Sequence, residues 1–228
     1  KAELSAQDYA GSNNGVLVED VEFTKGILGD AFEFDSNKDW VEITNSESLQ
    51  VDEDFTIEYW LYPTNVGEAR LNPICKAYWG EFCFTIEMEN TDKNYLPGRL
   101  SYYHGMKDSE GASKYMGWGN SLIENHVLNN QWQHIVITRD ATERKITSYY
   151  NGEPSGVANY LDIPEKSPSI SDVPIKIGQG YTGKVYKGKI DEIAIYNKVL
   201  SQGEVKQHYD NILAGESYCL AAVAGCGD

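Results

Sequence analysis

The chain has 228 residues, of which 41% are hydrophobic and 12% aromatic, so it can bury a packed core and is not expected to be disordered. Its 19 Lys and Arg residues against 35 Asp and Glu residues give a net charge of −16, which disfavours nucleic acids and anionic membrane surfaces as partners. No apolar run approaches the roughly 18 residues that a membrane-spanning helix needs, so we expect no membrane insertion.

Alternation of apolar and polar residues with period two dominates the chain. Between residues 55 and 61, one face would carry the apolar set Phe55, Ile57, Tyr59 and Leu61. The same alternation recurs in residues 82–88 and 132–139, and residues 145–150 run into Asn151-Gly152, the dipeptide typical of a two-residue hairpin turn. Many short strands separated by Gly, Asn, Asp and Pro predict an antiparallel β-sandwich.

One helix is predicted near the end of the chain. Ser201 and Glu204 have capping-box spacing, and Leu200 and Val205 occupy the positions of a hydrophobic staple. The helix would present one apolar stripe, made of Val205, Tyr209, Ile212 and Leu213, and Gly215 would end it. We therefore interpret residues 1–215 as one domain and residues 216–228 as a tail that begins a linker in a larger parent protein.

The four cysteines fall into two close pairs, Cys75 with Cys83 and Cys219 with Cys226. Neither spacing fits a zinc motif, and no histidine lies near either pair. An even number of cysteines in local pairs favours two disulfides and an oxidising compartment. We therefore expect the protein to be extracellular or at the cell surface.

An ordered set of segments resembles the laminin-G-like jelly roll of the concanavalin A-like lectin/glucanase group, in its bacterial extracellular branch. The segments are residues 8–15, 29–35, 40–43, 55–63, 131–138, 149–152, 175–178, 188–196 and 200–204. The resemblance implies an all-β fold, with two antiparallel sheets in a jelly-roll sandwich and one short C-terminal helix. Residues 62–128 depart most from the family pattern.

The resemblance also implies a structural calcium ion. In related jelly rolls the opening loop and a late strand meet around this metal, and the matching positions are Asp8, Gly11, Asn14 and Asp191. If the strand of residues 190–195 keeps its alternation, either Asp191 or Glu192 faces inward, which is costly unless the carboxylate is paired or bound to a cation. Two alternatives stay open: Asn13 in place of Asn14, and an Asp191 that caps backbone amides of the N-terminal loop without a metal.

Aromatic residues outside the family pattern predict a glycan-binding surface. Tryptophans 40, 60 and 132 match family core positions and are expected to be structural, whereas Trp79 lies between the paired cysteines and Trp118 between two glycines. Such loop aromatics are well placed to stack on a sugar ring. Tyr181 lies in a Gly-x-Gly-x-x-Gly loop. Dinucleotide binding requires a helix directly after this motif, but here a strand follows, so we do not expect the loop to bind a dinucleotide. The predicted sugar contacts are Tyr78, Trp79, Tyr103, Trp118 and Tyr181.

Catalytic signatures are weak. Glucanases of this fold carry a Glu-x-Asp-x-x-Glu run, which is absent, and Glu87 with Glu89 is the nearest pair of acids. A lyase site could draw only on Arg99, Tyr102 and His104. We therefore predict a non-catalytic, lectin-like domain that binds a glycan or polysaccharide within a larger secreted or cell-surface protein. A structural or protein-binding adhesion module without a sugar site is the alternative, and a polysaccharide hydrolase or lyase is disfavoured.

Overall fold

A computed structural model of the chain describes residues 5–50, 53–67, 70–77, 81–86, 97–107, 113–118, 127–160, 171–180 and 184–218; for residues 106–107 and 113–118 it describes the backbone. These residues form fourteen strands, one short 3₁₀ helix, Glu47–Leu49, and one α-helix, α1, Gln202–Leu213. The strands are β1 Gly15–Val18, β2 Glu22–Lys25, β3 Asp30–Phe34, β4 Trp40–Ile43, β5 Phe55–Pro63, β6 Ile74–Lys76, β7 Phe82–Ile86, β8 Leu100–Lys107, β9 Ser113–Trp118, β10 Gln133–Asp140, β11 Lys145–Tyr150, β12 Glu153–Asn159, β13 Ile175–Ile177 and β14 Gly188–Tyr196.

The strands pair antiparallel in two sheets. Sheet A has the order β1-β4-β13-β6-β7-β8-β9, and sheet B has the order β12-β11-β10-β5-β14-β3-β2. Strands adjacent in sequence are often far apart in these orders, so the chain crosses repeatedly between the sheets, as in a jelly roll. The predicted all-β sandwich is confirmed.

The space between the sheets is filled by the residues that the alternation pattern selected. The four apolar residues of β5 are fully buried, and Phe82, Phe84 and Ile86 of β7 meet them from sheet A. The hairpin between β11 and β12 turns at Asn151 and Gly152, whose φ angles of 51° and 79° both lie in the left-handed region.

Helix α1 packs on the outer face of sheet B. Ser201 and Glu204 form the predicted capping box, and Leu200 and Val205 are buried together. The predicted apolar stripe is wrong at Leu213, which is 57% exposed. His208 lies on the buried side instead, since it is one turn before the buried Ile212. In the described part of the chain, no helix is long and apolar enough to cross a membrane.

A buried carboxylate joins α1 to two strands of sheet B. Glu58 of β5 is fully buried, and its Oε1 lies 2.8 Å from His134 Nε2 of β10. His208 Nδ1 of α1 lies 3.0 Å from its Oε2, and the ring of Tyr196 of β14 packs against His208, 6.1 Å between ring centroids. Burial alone would raise the pKa of Glu58, but the hydrogen bonds and charge of the two histidines outweigh burial and lower that pKa. Trp60 of β5 stacks on Tyr209 of the helix, 5.4 Å between ring centroids, beside this network.

Replacing Glu58 tests whether this network holds the helix. We expect Glu58→Gln to lower the free energy of unfolding by about 2–3 kcal/mol at pH 7, because hydrogen bonds to a charged acceptor are lost in a buried site. Because the folded pKa is depressed, the contribution of Glu58 is present above its unfolded pKa of about 4.3 and is lost as the pH falls through the folded value. Urea unfolding from pH 7 to pH 3 should therefore show the two proteins converging in acid. Glu22→Gln, at an exposed position of β2, is the control and should cause no such loss.

Candidate functional site

A disulfide between neighbouring strands confirms one cysteine pair. Cys75 of β6 and Cys83 of β7 are directly opposite in the ladder and are bonded to each other. The ring of Tyr103 packs on this bond from β8. Arg70 Nη2 donates a hydrogen bond of 2.5 Å to the Tyr103 hydroxyl, and its guanidinium lies 5.5 Å from the ring centroid. Tyr103, a predicted sugar contact, is thus fixed on the outer face of sheet A, which is the face turned away from the core.

Most of the other predicted aromatic contacts lie outside the described residues. This holds for Tyr78, Trp79 and Tyr181, and also for Glu87, Glu89 and the second cysteine pair, Cys219 and Cys226. Trp118 is the last residue of the edge strand β9, where its backbone pairs with Tyr102. The predicted cluster of loop aromatics therefore stays a prediction.

Trp40 matches a family core position and was expected to be structural, but the structure places its side chain outside the core between the sheets. Trp40 and Glu42 alternate along β4 with Val41, which is buried in the core, so both lie on the outer face of sheet A, where Trp40 is partly buried. The Lys176 ammonium of β13 lies over the indole ring, 4.6 Å from its centroid. The family position fixed the strand but not the face, since one step along a strand reverses the side-chain direction.

Four side chains form a polar group around this indole, which we call the Trp40 patch: Trp40, Glu42, Lys176 and Gln179. Lys176 and Glu42 are directly opposite in the ladder, yet in the described part of the chain they form no ion pair. Lys176 Nζ instead donates to Gln179 Oε1 at 3.3 Å, and Trp40 Nε1 makes a long contact of 3.5 Å with Glu42 Oε2. The patch thus presents an aromatic ring with a separated acid and base beside it.

The centre of the outer face of sheet A is closed. Cys83, Thr85 and Ser101 are fully buried there. Asn72 Nδ2 donates to Thr85 Oγ1 at 2.8 Å and to the Phe84 carbonyl at 2.9 Å. Of the described residues on this face, those of the Trp40 patch therefore offer the more accessible surface.

The predicted calcium residues of the N-terminal loop form a self-contained turn. Asp8 Oδ1 accepts hydrogen bonds from the amides of Ala10 and Gly11, and its Oδ2 accepts one from Asn13. Asn14 Oδ1 accepts from the Asp8 amide at 2.9 Å. Burial works to raise the pKa of Asp8, but these amide hydrogen bonds outweigh it and hold that pKa below its usual value. The side chain of Asp8 therefore holds the loop together by accepting three of its backbone amides.

Asp191 serves a different loop. Its Oδ2 accepts from the amides of Ile27 and Leu28 at 3.0 and 3.2 Å, and its Oδ1 accepts from the Glu192 amide. The regular alternation expected for β14 is broken by a bulge between Asp191 and Ala194, where Glu192 has a φ angle of 46°. In a regular strand only one of two consecutive side chains would face inward, but because of the bulge both Asp191 and Glu192 are buried. Burial raises the pKa of Asp191 despite the three amide donors.

The four predicted ligands therefore do not come together as one donor set in the described contacts. The carboxylates of Asp8 and Asp191 each accept three backbone amides, in two separate loops. Among the described residues, no three His, Cys, Asp or Glu side chains are grouped as a metal site. Calcium binding stays a prediction, and no step below depends on it.

Two of the three residues considered for a lyase site, Tyr102 and His104, lie in the core. Tyr102 and His104 are fully buried between the sheets, and the Tyr102 hydroxyl lies 3.0 Å from His104 Nδ1. Burial raises the pKa of Tyr102 well above its ordinary value and lowers that of His104 well below. Both side chains are packed away from any surface that a polysaccharide can reach.

Comparisons with known proteins agree with this architecture. A family model described as the concanavalin A-like lectin/glucanases superfamily matches residues 35–206. The match covers most of the chain, and the chain belongs to this superfamily. Among the curated proteins, none matches it.

Solved structures share the fold at low sequence identity. Domain 4 of AbnA, a GH43 extracellular arabinanase from Geobacillus stearothermophilus solved in complex with arabinotriose, matches with a TM-score of 0.66 and 15% identity, covering 89% of this chain and 92% of that one. The binding domain of Paraclostridial Mosquitocidal Protein 1 matches with a TM-score of 0.65 and 20% identity, covering 89% of this chain and 48% of that one. The botulinum neurotoxin serotype G binding domain matches with a TM-score of 0.60 and 18% identity, covering 86% of this chain and 46% of that one. The chain thus spans about half the length of the two toxin domains.

Truncating Asp191 distinguishes a carboxylate that only accepts backbone amides from one that also binds calcium. We expect Asp191→Ala to lower the free energy of unfolding by about 2 kcal/mol, because three buried amides lose their acceptor. If the carboxylate serves only these amides, urea titrations in EDTA and in calcium chloride give the same loss. A loss that grows when calcium is present would instead assign Asp191 to a metal site. Asp20→Ala, at an exposed position, is the control.

Proposed function

Because the chain belongs to the concanavalin A-like lectin/glucanase superfamily, we propose that it is a non-catalytic domain that binds carbohydrate on the outer face of sheet A. It would act within a larger extracellular or cell-surface protein, and its ligand would be a glycan or polysaccharide. The observation that carries this proposal is the Trp40 patch: a partly buried indole at one end of the outer face of sheet A, flanked by an acid and a base that are not paired with each other.

The layout of the sandwich leaves the Trp40 end of this face accessible. Helix α1 and the Glu58 network cover the outer face of sheet B, whereas no α-helix of the described residues packs on sheet A. Binding sites commonly combine apolar surface with a few well-placed polar groups. At the end of sheet A formed by β1, β4 and β13, the patch supplies both.

The chemistry of the patch suits a sugar. The edge and open surface of the Trp40 indole can pack on the apolar C–H face of a sugar ring. The Glu42 carboxylate accepts hydrogen bonds from sugar hydroxyls, the Lys176 ammonium donates to hydroxyl or ring oxygens, and the Gln179 amide does both. Lys176 is held in place over the ring, so less side-chain entropy is lost when a ligand binds.

The solved structures that share this fold support the proposal, because they are domains that bind ligands or are named as binding domains. AbnA domain 4, which was solved with arabinotriose bound, is matched over nearly its whole length. The two toxin structures are named as binding domains. The Cys75–Cys83 disulfide fits an oxidising, extracellular setting.

A protein-binding module is the second candidate, and one observation favours it. Val16 and Leu17, in the edge strand β1, are 60% and 37% exposed, and Tyr9 nearby in sequence is 58% exposed. An edge strand with exposed apolar side chains can add a strand from a partner. This surface does not include Trp40, so the two functions respond to different substitutions.

Truncating Trp40 tests the sugar site. We expect Trp40→Ala to weaken binding to whichever oligosaccharide a glycan array selects by at least about tenfold, since the loss of a central aromatic contact costs more than about 1.4 kcal/mol. Isothermal titration calorimetry gives the affinity, and circular dichroism shows that the fold is kept.

Trp132→Ala is the matched control. Trp132 is also partly buried, but it packs edge-to-face on Tyr62 of sheet B, 5.5 Å between ring centroids. We expect this variant to keep its affinity for the sugar. Equal affinities for Trp40→Ala and the unmodified protein, or no bound glycan on the array, would refute the proposed site.

A further inference from the structure

We propose that Glu42 sets the specificity of the Trp40 patch, admitting neutral sugars and excluding acidic ones. This inference rests on the proposed function, and it adds the class of ligand and the residue that selects it. An acidic sugar means one with a carboxylate or sulfate group, such as a uronic acid. Its neutral counterpart is the same ring with that group esterified or absent.

Glu42 is the less constrained charge of the patch. In the described part of the chain its carboxylate makes one hydrogen bond, the 3.5 Å contact with Trp40 Nε1. A contact of that length is weak, so the carboxylate keeps nearly all of its capacity to accept hydrogen bonds. It lies in the ladder between exposed Val16 on β1 and Lys176 on β13, on the side of the sheet that a ligand would approach.

Lys176 forms no direct ion pair with this carboxylate among the described contacts. Its ammonium lies over the Trp40 ring and donates to Gln179 Oε1, although the ladder places it directly opposite Glu42. The cation is thus already stabilised by the ring and by the amide. A ligand therefore meets a free carboxylate and a partly satisfied ammonium.

An acidic sugar would place a second negative charge beside Glu42. Like charges brought together in a binding site repel each other strongly, and the chain-wide net charge of −16 adds repulsion at longer range. A neutral sugar meets no such penalty, and its hydroxyls can donate to Glu42 and accept from Lys176. The patch therefore selects by rejection of the charged analogue as well as by attraction of the neutral one.

A glycan array of matched pairs tests the proposal. Each pair contains an oligosaccharide of uronic acids and its methyl ester, or a sulfated glycan and its desulfated form, together with neutral pentose and hexose oligosaccharides. We expect the unmodified protein to bind neutral members only. Glu42→Gln keeps the shape of the side chain but removes its charge, and it should raise the affinity for the acidic member of a bound pair by about tenfold or more relative to the neutral member.

Two further variants separate local from general effects. Glu33→Gln changes the net charge by the same amount on sheet B, and it should leave the acid-to-neutral ratio unchanged. Lys176→Met removes the donor, and it should weaken binding of neutral sugars without admitting acidic ones. Circular dichroism and thermal unfolding of each variant show that the fold is kept.

The outcomes distinguish this inference from the proposed function. Binding of acidic and neutral members with equal affinity, or an unchanged ratio in Glu42→Gln, overturns the role of Glu42 but leaves the sugar site standing. A shift of the same size in Glu33→Gln would assign the selectivity to net charge and would also overturn it. If no glycan binds to any variant, the proposed function fails and the inference fails with it.

Discussion

The structure depends on the burial of both faces of the central strand of sheet B. One face of β5 fills the space between the sheets, and the other lies under helix α1, where Glu58 bonds to His134 and His208. A buried carboxylate is tolerated only when hydrogen bonds compensate for the lost water, so this contact fixes where the helix can dock. Helix α1 thus closes the outer face of sheet B, whereas on sheet A the Trp40 patch is partly exposed at one end of the outer face.

The functional proposal follows from that asymmetry. The fold by itself does not specify an activity, because one sandwich can carry many different sites. The side chains that point outward from sheet A decide the chemistry, and around Trp40 they separate an acid from a base that the ladder places opposite each other. Such a separation leaves both groups able to bind a polyhydroxylated ligand. The carboxylates of Asp8 and Asp191, by contrast, are already engaged by backbone amides and shape their loops.

The disulfide and the buried polar residues have a supporting role on sheet A. The Cys75–Cys83 bond ties β6 to β7, and the Tyr103 ring with the Arg70 guanidinium covers it. On the other side of these strands, Lys76 and Glu81 form a fully buried pair at 2.8 Å, with Lys76 Nζ also donating to the Leu49 carbonyl. These contacts cross-link the middle of sheet A, and the Trp40 patch lies beside them, since Lys176 pairs with Cys75 in the ladder.

The sequence alone determined the features that depend on near neighbours along the chain. The alternation in β5, the Asn151-Gly152 turn and the capping box at Ser201 were all predicted and confirmed, because backbone geometry within a few residues sets them. The Cys75–Cys83 pairing was predicted for the same reason.

Only the tertiary structure decided which face Trp40 occupies, which loop Asp191 serves and which histidines meet Glu58. Each of these depends on strand register, on a bulge, or on residues as far apart as Glu58 and His208. Such contacts form only when segments that are distant in sequence pack together. Local sequence patterns therefore do not determine which partner each side chain contacts.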